Sequence, residues 1–428
     1  MPNNFQPVRG MRDLIGEEAQ TFIKIIAKAR QIAKLYSYKE VITPIVEQLE
    51  LLSAKSGEEI RQRMFIFKDL GDRQVALRPE FTASIARLAT TVLRNEPKPW
   101  RLLSIGTVYR YDEPQKGRYR EFWQSNFELM GSAKPEADQE IVLLTDSFMA
   151  GLGLQGYAFK IGHVGVIRGI LAQDGVDENT QNAIFQKMDK REYFDAFKLI
   201  NSEKTRNTLE GLMAIKGKNW RETIKQMKSC LEDYEEAKDA AQNLGEILSL
   251  ITEGTSLEII VDPTFARGLE YYTGMIFEVY IPELDIALGG GGRYDRLIEI
   301  FGGEPTPAVG CAHGIDRIAI AVQTQKAQIF QKTCKTVAVI TITDNLKPQA
   351  LKIAQQLREA GISVEFEAMG RKMAKALEDA DKRKVDYAVI VGERELKEGA
   401  VVLKDLACRM QSIVEIADLI DKIKTKQY

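Results

Sequence analysis

The 428-residue chain is 44% hydrophobic and 28% charged, a soluble globular composition, and it is long enough that two or three domains are expected. No apolar run approaches the roughly 20 residues that span a bilayer, and residues 1–12 lack the apolar stretch of a secretory signal, so no membrane-spanning helix is expected and a cytoplasmic location is the default expectation. The net charge of −2 carries no global nucleic-acid signature, so any polyanion has to be held by local basic patches.

Cys230, Cys311, Cys334 and Cys408 are scattered, which speaks against a disulfide framework or a zinc knuckle. With His163 and His313 the only histidines, a His-rich metal site and a Ser/His/Asp triad are also disfavoured. The chemistry is left to Arg, Glu, Gln and Tyr.

From Glu17 to Tyr36, Phe22, Ile25, Ile26, Ala29, Ile32 and Ala33 recur at helical spacing, which predicts an amphipathic helix with one buried face. Glu40 to Glu47 reads as a strand interrupted by Pro44, a residue that cannot donate to a ladder and so belongs at an edge or an interface. Short β-like runs at Met64 to Phe67 and Gln74 to Leu77 precede a helix from about Thr82 to Arg94. Leu102 to Tyr111 and Glu121 to Met130 flank a polar loop and read as an antiparallel hairpin with a long tip.

Residues 138–250 read as mainly helical, with a strand near Tyr157 to Ile161 and an inserted helical module at about 170–248. Strand signals return at Leu257 to Val261, Met275 to Ile281 and Asp285 to Leu288, followed by four glycines and a helix near Val309 to Val322. Residues 326–332 are read as a linker. Beyond it, β-like runs at Thr336 to Ile342, Ile362 to Phe366, Tyr387 to Val391 and Val401 to Lys404 alternate with helical ones, which predicts a separate α/β domain over 333–428.

The hairpin tip crowds Arg110, Lys116, Arg118 and Arg120 together, and alternation along its second strand puts Gln124, Asn126 and Glu128 on one face. Arginine offers a planar fork to phosphate oxygens, while Gln and Glu can hydrogen-bond both nitrogens of an imidazole. Taken alone, such a turn is more often a solvated basic loop, and Tyr271 and Tyr272 are as readily strand core as pocket wall. Gly289 to Gly292 allow close backbone approach to a ligand or a neighbouring strand. No Gly-Lys-Ser/Thr follows them, so they do not form a Walker loop.

Arg110 to Gly131 resembles motif 2 of the class II aminoacyl-tRNA synthetases, in its histidyl-tRNA synthetase form. Arg267-Gly268-Leu269-Glu270-Tyr271-Tyr272-Thr273-Gly274 is similar to the histidine-specific signature of that family, and Ala308 to Ile318 is similar to motif 3. Motif 1 is looser, around Val41 to Leu52. The likeness begins at Arg9-Gly10-Met11-Arg12-Asp13 and covers nearly the whole chain in the expected order.

The resemblance implies an α+β catalytic domain over 1–325, with a class II antiparallel sheet flanked by helices and interrupted by the helical insertion, and a C-terminal α/β anticodon-binding domain. It implies that Glu80, Thr82, Gln124 and Glu128 contact histidine and that Tyr271 and Tyr272 line the imidazole pocket. Arg110 and Arg317 would grip ATP phosphates, with Arg267 facing the α-phosphate, so that Arg267 and Arg110 are the catalytic pair. Lys116 and Arg118 would meet the acceptor end of tRNA(His).

The substrates so implied are L-histidine, ATP with bound Mg²⁺, and tRNA(His), with no zinc, in a homodimer. His313, one helical turn before Arg317, is read as a packing residue, because motif 3 does not depend on a histidine there. Asp112-Glu113-Pro114-Gln115 and Trp123 stand where many bacterial members have Glu-Arg-Pro-Gln and His, as in archaeal-type variants. A synthetase for another class IIa amino acid is one rival, set apart by the Arg267 to Tyr272 signature, and the main rival is the regulatory subunit of ATP phosphoribosyltransferase, a paralogue that shares the catalytic fold without aminoacylating. Arg110, Arg267, Arg317 and the C-terminal domain weigh against it.

Overall fold

In the computed structural model, which describes residues 5–54, 58–327 and 335–425, the first regular element is the helix Gly16–Leu35. Its buried stripe of Phe22, Ile25, Ala29, Ile32 and Ala33 follows the apolar spacing, and Glu17 and Glu18 at the start with Lys34 at the end complement the helix dipole. The strands that follow are β1 (Lys39–Glu40), β2 (Val46–Gln48), β3 (Ile66–Lys68), β4 (Gln74–Leu77), β5 (Trp100–Tyr109), β6 (Glu121–Met130), β7 (Ala158–His163), β8 (Ile259–Val261), β9 (Met275–Ile281), β10 (Ile286–Arg293) and β11 (Ala308–Gly314).

Eight of these form one sheet in the order β1-β5-β6-β11-β10-β9-β7-β8, and β2-β4-β3 form a small separate sheet. The six long central strands pair antiparallel, while β1 and β8 add parallel at the two edges. This is the class II synthetase fold, as expected. The reverse face of the sheet is apolar: Phe127, Leu129, Phe277, Val279 and Val309 join the helices Gly16–Leu35 and Pro135–Gly151 in one core.

Three local expectations are corrected. The single strand expected over Glu40 to Glu47 is two, β1 and β2, because Pro44 cannot continue a ladder and the chain changes sheets across it. The glycine run does not follow a strand but lies within β10. The helix expected from Val309 begins only at Ile315. Ala308–Gly314 is instead a central strand, because its small residues, Gly310 among them, fit between β6 and β10 and are poor helix formers.

Between β7 and β8 the chain leaves the sheet at Val164 for helices that include Glu178–Asp189, Glu203–Ala214 and Glu235–Thr252, whose Leu209, Leu212 and Leu244 share the same core. Contacts divide the chain into two units, Met1–Ile329 and Phe330–Tyr428. Of the expected linker, residues 328–332 lie outside the described residues.

The second unit contains β12 (Thr336–Thr341), β13 (Ser363–Phe366), β14 (Tyr387–Val391), β15 (Ala400–Asp405) and β16 (Gln411–Glu415) in the order β13-β12-β14-β15-β16. Its first three strands are parallel, and its last two add antiparallel. The sequence reading did not include β16, an edge strand exposed at four of its five positions and therefore without an apolar pattern. Among the described residues, no helix is long and apolar enough to cross a membrane.

Candidate active site

Register puts the polar residues of the large sheet on one face. Glu128 of β6 stands opposite Gly310 of β11, Asn126 opposite Ala312, and Gln124 opposite Gly314. Ala312 faces Gly290 of β10, which in turn faces Glu278 of β9. Small residues thus make a floor between two rows of acids and amides. The smallness is a steric requirement, since a Cβ on Gly310 would lie 1.5 Å from Oε2 of Glu128, and one on Gly290 would lie 2.6 Å from the carbonyl oxygen of Phe277. Above this floor is a cleft of about 380 Å³.

At one end stand the residues expected to meet histidine. Glu80 precedes the helix Thr82–Thr91, and its carboxylate accepts from the amides of Thr82 at 2.7 Å and Ala83 at 2.9 Å, donors that a helix start leaves unpaired. The segment is held from beneath by buried Arg78, which donates to the carbonyls of Thr107 and Thr43 and stacks on Phe81. Thr82 Oγ1 donates to Glu128 Oε1 at 2.8 Å, and the Tyr294 hydroxyl donates to Glu128 Oε2. Burial pushes the Glu128 carboxyl up to about 8, against the opposing pull of those two donors.

Gln124 Oε1 and Asn126 Oδ1 are buried with no hydrogen-bond partner among the described residues, so this end presents acceptors to a ligand's N–H groups. The rings of Tyr271 and Tyr272 meet edge-on with centroids 4.9 Å apart, and Tyr294 packs on Tyr271 at 5.6 Å. Burial drives the Tyr271 hydroxyl well above its ordinary range and Tyr272 up to about 12, so both are hydrogen-bond donors at neutral pH.

Arg110, Arg267 and Arg317 border the same cleft. Arg267 Nη1 donates to Glu278 Oε1 at 2.8 Å, and Arg110 Nε to the Pro79 carbonyl at 2.9 Å. Arg317 donates to the carbonyls of Gly117 at 3.3 Å and Ala287 at 3.2 Å. These bonds use one or two of the five N–H donors on each guanidinium. Burial, and after it the charges of Arg118, Arg110 and Arg267 against the opposing Glu278, hold Arg317 below the ordinary arginine value. Cations that repel one another in a concave site favour a polyanion.

Of the residues expected to meet histidine, ATP or the tRNA acceptor end, Lys116 alone does not border the cleft; it stands exposed on the hairpin loop, whereas Arg118 reaches the wall. Sequence reasoning missed Tyr294 and Glu278 and left Asn126 unassigned, although Asn126 shared the face of Gln124 and Glu128. The only signal for Tyr294 was its place just after the glycine run. His313 lies on the reverse face, its Nε2 3.0 Å from Thr145 Oγ1 and its ring against Phe127 and Phe148. Burial pulls it down to about 3, which keeps it neutral. Among the described residues, no group of three or more His, Cys, Asp or Glu side chains is disposed to hold a metal ion.

A histidyl-tRNA synthetase family profile matches residues 10–318, and an anticodon-binding domain profile matches residues 336–426. The chain is 40% identical over 425 residues to the histidine–tRNA ligase of Methanococcus maripaludis, covering 97% of this chain and 99% of that protein. Identity is 40% over 419 residues with the ligase of Methanocaldococcus jannaschii, covering 97% and 98%. It is 35% over 425 residues with that of Saccharolobus solfataricus, covering 98% and 99%.

In three dimensions the chain resembles the histidyl-tRNA synthetase of Nostoc sp. PCC 7120, with a TM-score of 0.81 at 22% identity over 99% of this chain and 100% of that one. It also resembles a Bacillus halodurans protein described as an ATP phosphoribosyltransferase regulatory subunit/histidyl-tRNA synthetase, with a TM-score of 0.75 at 26% identity over 89% and 97%. With a profile that spans most of the chain and relatives at 35% to 40% identity along nearly all of it, the protein belongs to the histidyl-tRNA synthetase family.

Proposed function

We propose that this chain activates L-histidine with ATP, taken as its Mg²⁺ complex, and transfers the histidyl group to the 3′ end of tRNA(His). The observation that carries the reading is the division of a single cleft into an acceptor-rich end, with Glu80, Gln124, Asn126 and Glu128, and a cationic end, with Arg110, Arg267 and Arg317. An amino acid rich in N–H donors fits the first end and a triphosphate the second.

Histidine enters with its nitrogens toward Glu80, Thr82, Gln124 and Glu128 and its ring against Tyr271 and Tyr272, which offer an apolar wall and a hydroxyl. Its carboxylate is then aimed at the α-phosphorus. An oxygen–phosphorus bond forms, the α–β bridging bond breaks, and pyrophosphate departs in line. Charge gathers on the phosphate oxygens, so preorganised cations accelerate the step more than proton transfer does. Arg267 and Arg110 take that charge, and Arg317 steadies the outer phosphates. Glu278 holds Arg267 at the cleft face of the sheet, which limits the reorganisation the guanidinium needs.

In the second step the terminal ribose hydroxyl of the tRNA attacks the carbonyl carbon of the adenylate, and AMP leaves. Lys116 and Arg118, on the loop beside the cleft, meet the acceptor-end phosphates, and the unit that begins at Phe330 reads the anticodon, as single-stranded bases are usually read by edge hydrogen bonds and stacking. Catalysis belongs to residues 1–325, with their insertion at about 170–248, and anticodon reading to residues 333–428. The protein works in the cytoplasm without zinc and as a homodimer. Exposed Ile42, Ile45 and Val46 in motif 1 supply apolar surface for a second copy to cover.

The test is ATP–pyrophosphate exchange with each of the twenty amino acids. Exchange that depends on histidine alone supports the reading. No exchange with any amino acid, together with histidine binding, transfers the assignment to the regulatory paralogue.

A further inference from the structure

The run Arg9-Gly10-Met11-Arg12-Asp13 was prominent in the sequence, yet none of its residues borders the cleft. It lies instead along the second limb of the motif 2 loop. The Arg120 amide donates to the Gly10 carbonyl at 2.8 Å, and Gly10 has φ +84° with a would-be Cβ only 2.7 Å from Arg120 Cγ, so glycine is what lets the two segments lie flush.

Two residues on, the Arg12 guanidinium stacks 3.6 Å from the centroid of the Tyr119 ring and donates at 2.8 Å to Asp316 Oδ1. The other oxygen of Asp316 accepts the Trp123 amide at 2.7 Å. One carboxylate, 5% exposed, thereby ties together the N-terminal arm, the start of β6 and the first turn of the helix Ile315–Thr324. The next residue on that helix is Arg317, which also reaches back to the loop through the Gly117 carbonyl.

We infer that Arg12 is a positioning residue for ATP: acting through Asp316 and Tyr119, it fixes Arg317 and the motif 2 loop in the relative placement that a triphosphate requires. This rests on the reading of the cleft as an ATP site. Without Arg12, Asp316 would be a buried carboxylate that has lost its counter-charge. Glu18, 3.5 Å from Arg12 and 46% exposed, is a further acceptor at the rim and cannot replace the cation. Asp316 would then take up a proton or turn outward, and either change weakens its bond to the Trp123 amide and loosens the helix start. A guanidinium suits the position because its flat face covers the Tyr119 ring while its edge meets the carboxylate, which a lysine ammonium cannot do at once.

The experiment compares Arg12→Ala, Arg12→Lys and Tyr119→Leu with the unaltered protein. It reads the KM for ATP and for histidine in pyrophosphate exchange, and histidine affinity without ATP by calorimetry. Arg12→Ala should raise the ATP KM about tenfold while histidine affinity stays within about twofold. Arg12→Lys should fall between, and Tyr119→Leu, which keeps the ion pair, should raise the ATP KM about threefold.

An ATP KM within about twofold of the unaltered value for Arg12→Ala, or equal losses for ATP and histidine, overturns the inference. If thermal melting shows Arg12→Ala to be unfolded, the other two variants decide, and an unaltered ATP KM in both overturns it. Absence of histidine-dependent exchange in the unaltered protein is a distinct result that overturns the proposed function and this inference with it.

Discussion

Replacing Glu128 by Gln should remove a steep loss of stability with rising pH. In the folded protein, burial keeps the Glu128 carboxyl protonated up to about pH 8, whereas in the unfolded chain it ionises near its ordinary value of 4.5. Between those values the folded state binds more protons than the unfolded state. The contribution is therefore fully present below about pH 4.5 and is lost as pH rises through about 8. The slope is about 1.4 kcal/mol per pH unit, so from pH 5 to pH 7 the unaltered protein should lose on the order of 3 kcal/mol relative to Glu128→Gln.

Glutamine, like the protonated acid it replaces, turns one carbonyl oxygen and one donor group toward Thr82 and Tyr294, so the offset that does not vary with pH should be no more than about 1–2 kcal/mol. Urea unfolding followed by tryptophan fluorescence at pH 5, 6, 7 and 8 measures the difference. Trp100, Trp123 and Trp220 all lie in the first unit, so the signal reports that unit alone, and other titrating groups cancel between the two proteins. Curves that stay parallel within about 0.5 kcal/mol across that range would refute the buried, protonated carboxyl.

Gly310→Ala should cost histidine affinity more than ATP affinity, by about tenfold or more in calorimetry, because the new methyl occupies the place of Glu128 Oε2 and displaces that side chain from the cleft. Arg267→Ala should lower pyrophosphate exchange by about a hundredfold or more with melting nearly unchanged, and near-normal exchange would remove Arg267 from the catalytic pair. His313→Gln, read by melting and exchange, should cost about 1–3 kcal/mol of stability while leaving the pH profile of exchange unmoved, since this buried imidazole is neutral and lies on the reverse face of the sheet.

What was legible in the sequence had a short period or a local signal. The helix Gly16–Leu35 follows from apolar spacing, and the shared face of Gln124, Asn126 and Glu128 follows from alternation along a single strand. Arg110, Arg267 and Arg317 were identified through motif resemblance, since nothing in a lone arginine separates phosphate binding from a surface ion pair. Tyr294 and Glu278 were not legible. Tyr294 reaches Glu128 across 166 positions of chain, and Glu278 of β9 shares the cleft with Glu128 of β6 only because the strand order sets β10 and β11 between them.

The glycines explain why strand order matters so much to this site. A strand that keeps side chains on both faces would fill the space above the sheet, and Gly290 and Gly310 empty one face while Val309, Cys311 and His313 keep the other packed. Emptying that face brings the carboxylate of Glu128 down onto the backbone of β11, where water is excluded and its proton affinity rises. The same emptying leaves room beside Gly290 for the Arg267 guanidinium, whose Nη1 lies 3.2 Å from where a Cβ would be. One floor of small residues, shared by the paired strands β10 and β11, therefore seats both the carboxylate at the amino-acid end and the arginine at the phosphate end, so a methyl added at Gly290 should disturb Arg267 as one at Gly310 disturbs Glu128. Separate losses, of exchange rate at the first position and of histidine affinity at the second, are the signature that distinguishes a shared floor from a general loosening of the sheet, which would lower both together.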